Sequence, residues 1–211
     1  MDKVRTRGRS ARWLAEAWVG LALWFYAPVL GVDHAGGPTP GQVEEYKLKA
    51  VFLYKFTGFI DWPPAAFDTT NAPFVLGVLG RDPFGPHLQE VTATKLVRGR
   101  RLVLQHFEHA DQVRAARCHL LFIPKSEREN LARLLSWLKS ATAPKPPMLT
   151  VGEEAESRKE GLIMNLLVEE KTRRLQFQID RGAAAAAGLQ ISSELLDLAR
   201  TVYGAPKGTS R

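Results

Sequence analysis

The chain has 211 residues, of which 45% are hydrophobic and 24% charged, a composition typical of a folded globular domain and not of a disordered chain. Its formal net charge is +7, but residues 1–31 hold five basic and two acidic side chains, so +3 belongs to this segment and about +4 to the remainder. Aromatic and basic residues do not interleave as in a nucleic-acid platform, so no nucleic-acid partner is expected.

The first 31 residues predict a secretory signal peptide. A basic start is followed by the apolar run Trp13 to Leu30, which contains one charge, Glu16, and this is the arrangement of a signal sequence. We expect cleavage near Gly31, with Ala35 as the second choice. A retained membrane anchor is the alternative, because about 18 apolar residues are near the lower limit for crossing a bilayer.

The next part of the chain predicts a helix and then buried strands. Apolar residues at steps of three and four indicate a helix over Val43 to Ile60, which ends before Pro63 because proline disfavours a helical conformation in the residue before it. Three apolar runs then indicate strands that are buried on both faces of a parallel sheet. They are Phe74–Leu79, Leu102–Phe107 and Cys118–Ile123.

Helices are expected to connect these strands. Asp82 is expected to cap a helix whose first turn holds Pro83. Leucines at three- and four-residue steps over Leu131–Leu138 predict a helix after the third strand, and Met148–Val151 reads as a fourth strand.

The pattern changes after Gly152. Leu162–Val168 and Leu175–Ile179 are separated by a polar segment and predict an antiparallel hairpin. Asp180 and Ser192 are expected to cap the two helices that follow. The last helix should pack through a stripe formed by Leu195, Leu198, Ala199 and Val202.

These elements predict an α/β fold: a single-domain sandwich with a mostly parallel sheet, an antiparallel C-terminal hairpin and flanking helices. The expected organisation is a signal peptide over 1–31, a disordered mature N-terminus over 32–42, an α/β domain over 43–204 and a flexible tail over 205–211.

Catalytic and cofactor motifs do not emerge from the sequence. The turn from Gly77 to Gly85 matches neither the dinucleotide fingerprint nor the P-loop. No serine lies in a nucleophile-elbow pentapeptide, so Ser126, Ser192 and Ser193 are interpreted as helix caps. Glu153, Glu154 and Glu156 are interpreted as solvated loop carboxylates, which have no reason to act as an acid/base pair. We therefore expect no catalytic residue, no cofactor and no enzyme activity.

A metal site is not expected either. His106, His109, Cys118 and His119 are zinc ligands by type, but His106 ends one predicted strand while Cys118 and His119 begin another. Parallel strands place those ends on the order of 20 Å apart.

Cys118 is the one cysteine of the chain, so an internal disulfide is excluded. It begins an apolar run, where burial as a small hydrophobic residue is expected. An intermolecular disulfide through Cys118 stays open as an alternative, as does a homodimer.

Basic residues concentrate in two places, at Arg173–Arg174 and in the cluster Lys95, Arg98, Arg100 and Arg101. They could contact anionic lipid headgroups or an acidic partner. Both sets fall where turns are predicted, so solvated turn charges are the preferred interpretation.

Six collinear motifs resemble the YfiR/HmsC family of bacterial periplasmic regulators. They are Glu45–Phe56 with Trp62-Pro63, Val78–Gly85, Cys118–Ile123, Leu149–Gly152, Gly161–Asn165 and Ile191–Arg200. Each motif alone is modest, but together they span nearly the whole predicted domain in the right order.

The resemblance implies a periplasmic, non-enzymatic protein that binds and represses the periplasmic sensor region of an inner-membrane diguanylate cyclase. Such repression lowers cyclic di-GMP and biofilm formation. The sequence departs from the family pattern at Gly77, where a cysteine is often seen, and in the Leu149–Asn165 region, which has none. Redox control through intrachain disulfides, suggested for the family, is therefore not expected here.

A repressor should expose an apolar surface to its partner. The hairpin offers more apolar side chains than one sheet face needs to bury, and the predicted partner-binding residues are Met164, Leu166, Phe177 and Ile179. The alternative function is a periplasmic small-ligand binding protein that serves another membrane sensor. Its pocket should lie near the carboxyl ends of the parallel strands, around Gly80 to Gly85.

Overall fold

The computed structural model describes residues 39–140, 145–153, 161–169 and 171–204. The predicted signal peptide, the predicted tail over 205–211 and most of the predicted disordered segment 32–42 lie outside these ranges.

The described residues form an eight-stranded mixed sheet, a two-stranded ladder and helices on both sheet faces. The strands are β1 Ile60–Asp61, β2 Phe74–Leu79, β3 Leu96–Val97, β4 Arg100–Phe107, β5 Leu120–Ile123, β6 Leu149–Gly152, β7 Met164–Val168, β8 Leu175–Asp180, β9 Gln190–Ile191 and β10 Thr201–Tyr203. The helices are α1 Pro40–Gly58, α2 Pro86–Ala93, α3 Ala110–Ala115, α4 Arg128–Lys139, α5 Arg181–Ala186 and α6 Ser193–Leu198, with a 3₁₀ turn at Pro64–Ala66.

The strand order in the large sheet is β10-β8-β7-β6-β5-β2-β4-β3. Neighbouring strands from β4 through β7 are parallel, whereas β3 is antiparallel to β4 and β8 is antiparallel to β7. The predicted α/β sandwich with a mostly parallel sheet and an antiparallel hairpin is therefore confirmed. The chain passes from β2 to β4 and then returns to β5 on the other side of β2, so a topological switch point lies between β2 and β5.

Alternating side chains divide the core into two layers. Phe74, Leu76 and Val78 of β2 pack in the layer that contains α1, whereas Leu79 packs in the layer that contains α3 and α4. This alternation follows from the two-residue period of a strand. Because helices cover both faces, β2 and β5 are almost completely buried, as the sequence predicts. The prediction that Leu102–Phe107 is buried on both faces is wrong for part of β4, since Gln105 and His106 are exposed.

Helix α1 begins earlier than predicted, at Pro40, because Thr39 and Gln42 form a capping box. Helix α2 begins later than predicted, at Pro86. Asp82 does not cap it; its Oδ1 accepts a hydrogen bond from the Phe84 N–H at 2.7 Å and closes a local turn. Gly85, with φ of 57°, precedes the helix.

The predicted caps at the C-terminal end are confirmed: Asp180 accepts from the Ala183 N–H and Ser192 from the Leu195 N–H. Ser126 is not a cap, since the N-cap position of α4 is Glu127.

The predicted packing stripe of the last helix is wrong for Leu198 and Val202, although Leu195 is buried and Ala199 packs against the core. Helix α6 ends at Leu198, which is 68% exposed. Ala199 is extended, and residues 201–203 form β10 beside β8, where Val202 is exposed.

Across the described ranges, the helices all fall short of the length and apolar character that a bilayer-crossing segment needs.

Candidate functional site

The four side chains predicted to contact a partner are buried. Met164 and Ile179 are 0% exposed, Leu166 1% and Phe177 5%. Phe177 packs against α1, with its ring centroid 5.2 Å from that of Phe56. These residues belong to the core of the free protein, so the prediction that they form an exposed surface is wrong.

Two contacts explain this burial. Aromatic residues of α1, among them Phe52 and Phe56, pack on the face of the hairpin that carries Leu166 and Phe177. Strand β10 pairs in parallel with the outer edge of β8. Helix α1 therefore covers one face of the middle of the hairpin, and β10 covers the outer edge of β8.

The outer end of the same hairpin meets α1 in an open groove of about 480 Å³, here called the α1–hairpin groove. Its apolar lining is Leu48, Val51, Val168 and Leu175, and its charged rim is Glu44, Glu45, Lys47 and Arg173. Leu48 is 41% exposed, and the other three apolar side chains are half-buried. An exposed leucine inside a charged rim is suited to bind an apolar side chain of another protein.

Ion pairs hold the rim of this groove in place. Arg173 lies at the hairpin turn with φ of 55°, and its Nη2 is 3.7 Å from Glu45 Oε2. Glu45 Oε1 is in turn 2.7 Å from Lys49 Nζ. Arg173 thus links the hairpin turn to the first half of α1 through one partly exposed ion pair, and the Glu45–Lys49 pair lies within α1.

A buried cluster of polar groups lies beside this rim, here called the Glu153 cluster: Tyr46, Lys49, the Lys125 N–H and Glu153. Glu153 Oε2 accepts from Lys49 Nζ at 2.5 Å. Glu153 Oε1 accepts from the Tyr46 OH at 3.0 Å and from the Lys125 N–H at 2.9 Å. The side chains of Lys49 and Glu153 are only 4% and 1% exposed. The interpretation of Glu153 as a solvated loop carboxylate is therefore wrong.

Burial raises the pKa of Tyr46, and the negative charge of Glu153 raises it further. The Tyr46 hydroxyl consequently keeps its proton and acts as a hydrogen-bond donor to Glu153. Glu154 and Glu156 lie outside the described residues.

The predicted ligand region at Gly80–Gly85 is occupied in part by the chain itself. A Cβ atom on Gly80 would lie 1.9 Å from Glu127 Cδ, so the Glu127 carboxylate rests against this glycine. Glu127 Oε2 accepts from Asn130 Nδ2 at 2.7 Å, and Oε1 accepts from the Arg81 N–H at 3.4 Å.

The four residues considered for zinc do not meet. His106 Nε2 lies 2.8 Å from Asp82 Oδ2 near the carboxyl end of the sheet. His119 precedes β5 at the opposite end and is buried. In the described part of the chain, no group of three or more potential metal ligands lies together.

Cys118 is a buried free thiol, 2% exposed. Its Sγ donates to the Leu120 carbonyl at 3.2 Å, and burial raises its pKa to about 12. Burial contradicts an intermolecular disulfide through Cys118 in the folded protein. A Cβ atom on Gly77 would lie 2.8 Å from this Sγ and 2.6 Å from Phe107 Cε2.

Several basic residues already have partners within the protein. Arg98, with φ of 50°, pairs with Asp61 at 2.5 Å. Arg100 donates to the Ala72 carbonyl at 2.8 Å and lies 3.8 Å from the Phe67 ring centroid. Arg98 therefore fits the interpretation as a turn charge, but Arg100 does not, because it lies half-buried on β4.

Sequence reasoning missed Leu48, Val51 and Glu153. Leu48 and Val51 are three residues apart, so they form a second apolar stripe on α1 beside the core stripe, and this signal was available. No comparable signal marks Glu153, because the donors that bury it come from distant parts of the chain.

The comparison with known proteins bears on this geometry. A model of the YfiR/HmsC-like family matches residues 46–200, a range that includes α1 from Tyr46 onward, the hairpin, the Glu153 cluster and the apolar lining of the α1–hairpin groove. Among curated proteins, none is significantly similar to this chain.

Two solved structures are similar at low sequence identity. One is a conserved domain protein from Vibrio cholerae, with 11% identity and a TM-score of 0.49, over 74% of this chain and 60% of that one. The other is the ABC domain in complex with L-Trp from Streptococcus pneumoniae, with 10% identity and a TM-score of 0.44, over 61% of this chain and 55% of that one. The chain thus spans less than two thirds of either protein.

The family match covers more than half of the chain, from Tyr46 in α1 to Arg200 just before β10. The protein belongs to the YfiR/HmsC-like family, whose members are generally regulatory and non-catalytic.

Proposed function

We propose that this protein is exported through a cleaved signal peptide and acts in the periplasm as a repressor of a membrane sensor. It binds the periplasmic sensor region of an inner-membrane diguanylate cyclase, or of a related sensor, and holds it inactive. Cyclic di-GMP and biofilm formation fall as a result. The protein performs no chemistry of its own.

The α1–hairpin groove is the observation that carries this proposal. It places the exposed Leu48 between half-buried apolar residues, with charged groups of both signs around them. Protein interfaces combine an apolar centre with a polar rim, and a few central side chains supply most of the affinity. Membership of a generally regulatory family supports a binding function.

The second candidate is a periplasmic small-ligand binding protein that serves another membrane sensor. The Glu153 cluster favours it, because three hydrogen-bond donors, among them the buried Lys49, converge there at the carboxyl end of the sheet, where ligands of parallel α/β proteins bind.

Substitution of Leu48 tests the repressor function. Deletion of the gene should raise cyclic di-GMP, and complementation with Leu48→Asp should leave it raised, because a charge in the apolar centre weakens partner binding by roughly tenfold or more. Cyclic di-GMP is measured in cell extracts, and partner recovery is measured by pull-down of the protein from solubilised inner membranes.

Leu96→Asp is the matched control. Leu96 is also an exposed leucine, at 57%, but it lies on β3 at the opposite edge of the sheet from the hairpin. This variant should restore low cyclic di-GMP. The proposal fails if deletion leaves cyclic di-GMP unchanged and no membrane sensor is recovered; equal effects of the two variants would exclude the groove as the docking surface.

A further inference from the structure

The Glu153 cluster occupies the position in which an open parallel α/β sheet binds its ligand. Such ligands lie outside the carboxyl ends of the strands, beside the topological switch point. Lys125 follows β5 and Glu153 follows β6. Tyr46 packs edge-on against Phe84, which follows β2, with ring centroids 5.5 Å apart. A side chain of the protein thus fills the place where a ligand would be expected.

The donors of the cluster are arranged around a carboxylate. A lysine ammonium and a tyrosine hydroxyl from α1 and a backbone N–H from the turn after β5 meet at the two oxygens of Glu153. Charge-assisted hydrogen bonds of this kind are the strong ones. The three donors therefore define the chemistry of the site, whichever carboxylate occupies it.

Exchange of one carboxylate for another leaves no uncompensated charge. Lys49 also has Glu45 at 2.7 Å, so its ammonium would keep one partner during such an exchange, and an incoming carboxylate would accept from Tyr46 and Lys125 in place of Glu153. A buried ion pair is weak evidence for a role in stability, because apolar replacements are often equally stable. The position of the Lys49–Glu153 pair, at the end of the sheet where ligands bind, is better evidence for a role in binding.

We propose that Lys49, Tyr46 and the Lys125 N–H form a binding site for the carboxylate group of a small molecule, and that Glu153 fills this site as an internal competitor. The wild-type affinity for such a ligand is reduced by the fraction of molecules in which Glu153 occupies the site. This inference does not depend on the repression of a cyclase.

Chemical rescue of Glu153→Ala tests the site. Removal of the side chain should lower Tm by roughly 10 °C, because the buried Lys49 ammonium loses one of its carboxylate partners and the Tyr46 and Lys125 donors lose their acceptor. Sodium acetate or sodium formate should restore Tm in a saturable manner, whereas sodium chloride at equal ionic strength should not. The wild type should show a smaller acetate-specific shift because Glu153 competes.

Two further variants make the result decisive. Glu153→Ala combined with Tyr46→Phe should lose most of the acetate rescue, since one donor is gone. Glu153→Gln keeps the shape of the side chain and weakens the internal competitor, so acetate should raise its Tm more than that of the wild type even if Glu153→Ala does not fold. The proposal is overturned if acetate is no better than chloride in these variants, or if its effect on them equals its effect on the wild type.

Discussion

His119 is a buried titratable residue whose neighbours allow one protonation state. Its Nδ1 accepts from the Val75 N–H at 3.0 Å, so Nε2 carries the proton and donates to the Ala66 carbonyl at 3.0 Å. The ring stacks between Phe67 and Phe74, with centroid distances of 4.6 and 4.9 Å. A second proton, on Nδ1, would point at the Val75 N–H and would break this hydrogen bond.

Burial lowers the pKa of His119, and the charges of Arg100 and Arg117 lower it further against an opposing hydrogen bond to Ala66. At pH values above the ordinary histidine pKa of about 6.5, the His119 side chain is neutral in both the folded and the unfolded protein. As pH falls below that value, the unfolded chain takes up a proton that the folded protein does not. Stability is therefore lost between about pH 6.5 and the lower pKa of the folded state.

We predict that His119→Gln reduces this loss. Glutamine can accept from Val75 and donate to Ala66 but does not titrate, so the free energy of unfolding should fall less between about pH 7.5 and pH 5.5 than in the wild type, by up to about 1.4 kcal/mol per pH unit. Urea unfolding at the two pH values measures the difference. Equal pH dependence in the two proteins would contradict the assignment.

At the scale of elements, α1 and the hairpin stabilise each other through aromatic contacts. Phe177 lies within 5.2 Å of Phe56 and 6.3 Å of Phe52, measured between ring centroids. Edge-to-face pairs of this kind add to the free energy gained by apolar burial. The groove at the outer end of the hairpin depends on this packing beneath it.

We predict that Phe177→Ala lowers the free energy of unfolding by about 3–5 kcal/mol, because it leaves a cavity in the core. Leu48→Ala is the control and should cost less than about 1 kcal/mol, since that side chain is partly exposed. Chemical denaturation of both variants measures the two costs. If Phe177→Ala were as stable as the wild type and lost only partner binding, Phe177 would be a surface residue after all.

The sequence predicted accurately those strands that are buried on both faces. Phe74–Leu79 coincides with β2 because a strand covered on both faces must be apolar throughout. The edge strands β3 and β10 were not predicted, since strands of two and three residues with exposed Leu96 and Val202 carry no such pattern. The start of α2 was misplaced because Asp82 and Pro83 satisfy the rules for a helix start and for a turn equally well.

The candidate surface could be predicted only in part. Val168 and Leu175 lie on the two strands that the sequence singles out, but at their outer end, where α1 leaves the groove open. Counting apolar residues along a strand cannot show which of them a distant helix covers. Burial of Glu153 is equally invisible in the sequence, because Tyr46 and Lys49 are about a hundred positions away.

At the scale of the whole molecule, the fold is stable without a covalent cross-link. The chain has one cysteine, and its thiol is buried between β2 and the layer of α3 and α4. Each core layer is continuous across several strands, so apolar burial supplies the stabilisation that small exported domains often take from disulfides.

We predict that Gly77→Cys forms a disulfide with Cys118. The Cβ atom of a residue at position 77 would lie 2.8 Å from Cys118 Sγ, close to the roughly 3 Å from a Cβ to the far sulfur of a disulfide. Closing a loop of about 40 residues should add about 4 kcal/mol in the oxidised form, less the cost of moving the Phe107 ring. Thermal unfolding with and without reductant, beside free-thiol titration, measures this gain.

Gly77→Ala is the control for crowding against Phe107 and should show no dependence on reductant, as should the wild type. Two titratable thiols in unfolded Gly77→Cys after oxidation would contradict the predicted bond.

The glycine at position 77 has a consequence for the environment that the protein can tolerate. Because Cys118 is buried and faces a residue without a side chain, no disulfide can form or be reduced in the folded molecule. The lifetime of the folded protein should therefore be the same in aerated and in oxygen-poor surroundings, and it should not depend on the cell's thiol oxidases. The single exchange Gly77→Cys would give a form whose stability depends on the redox state of its surroundings.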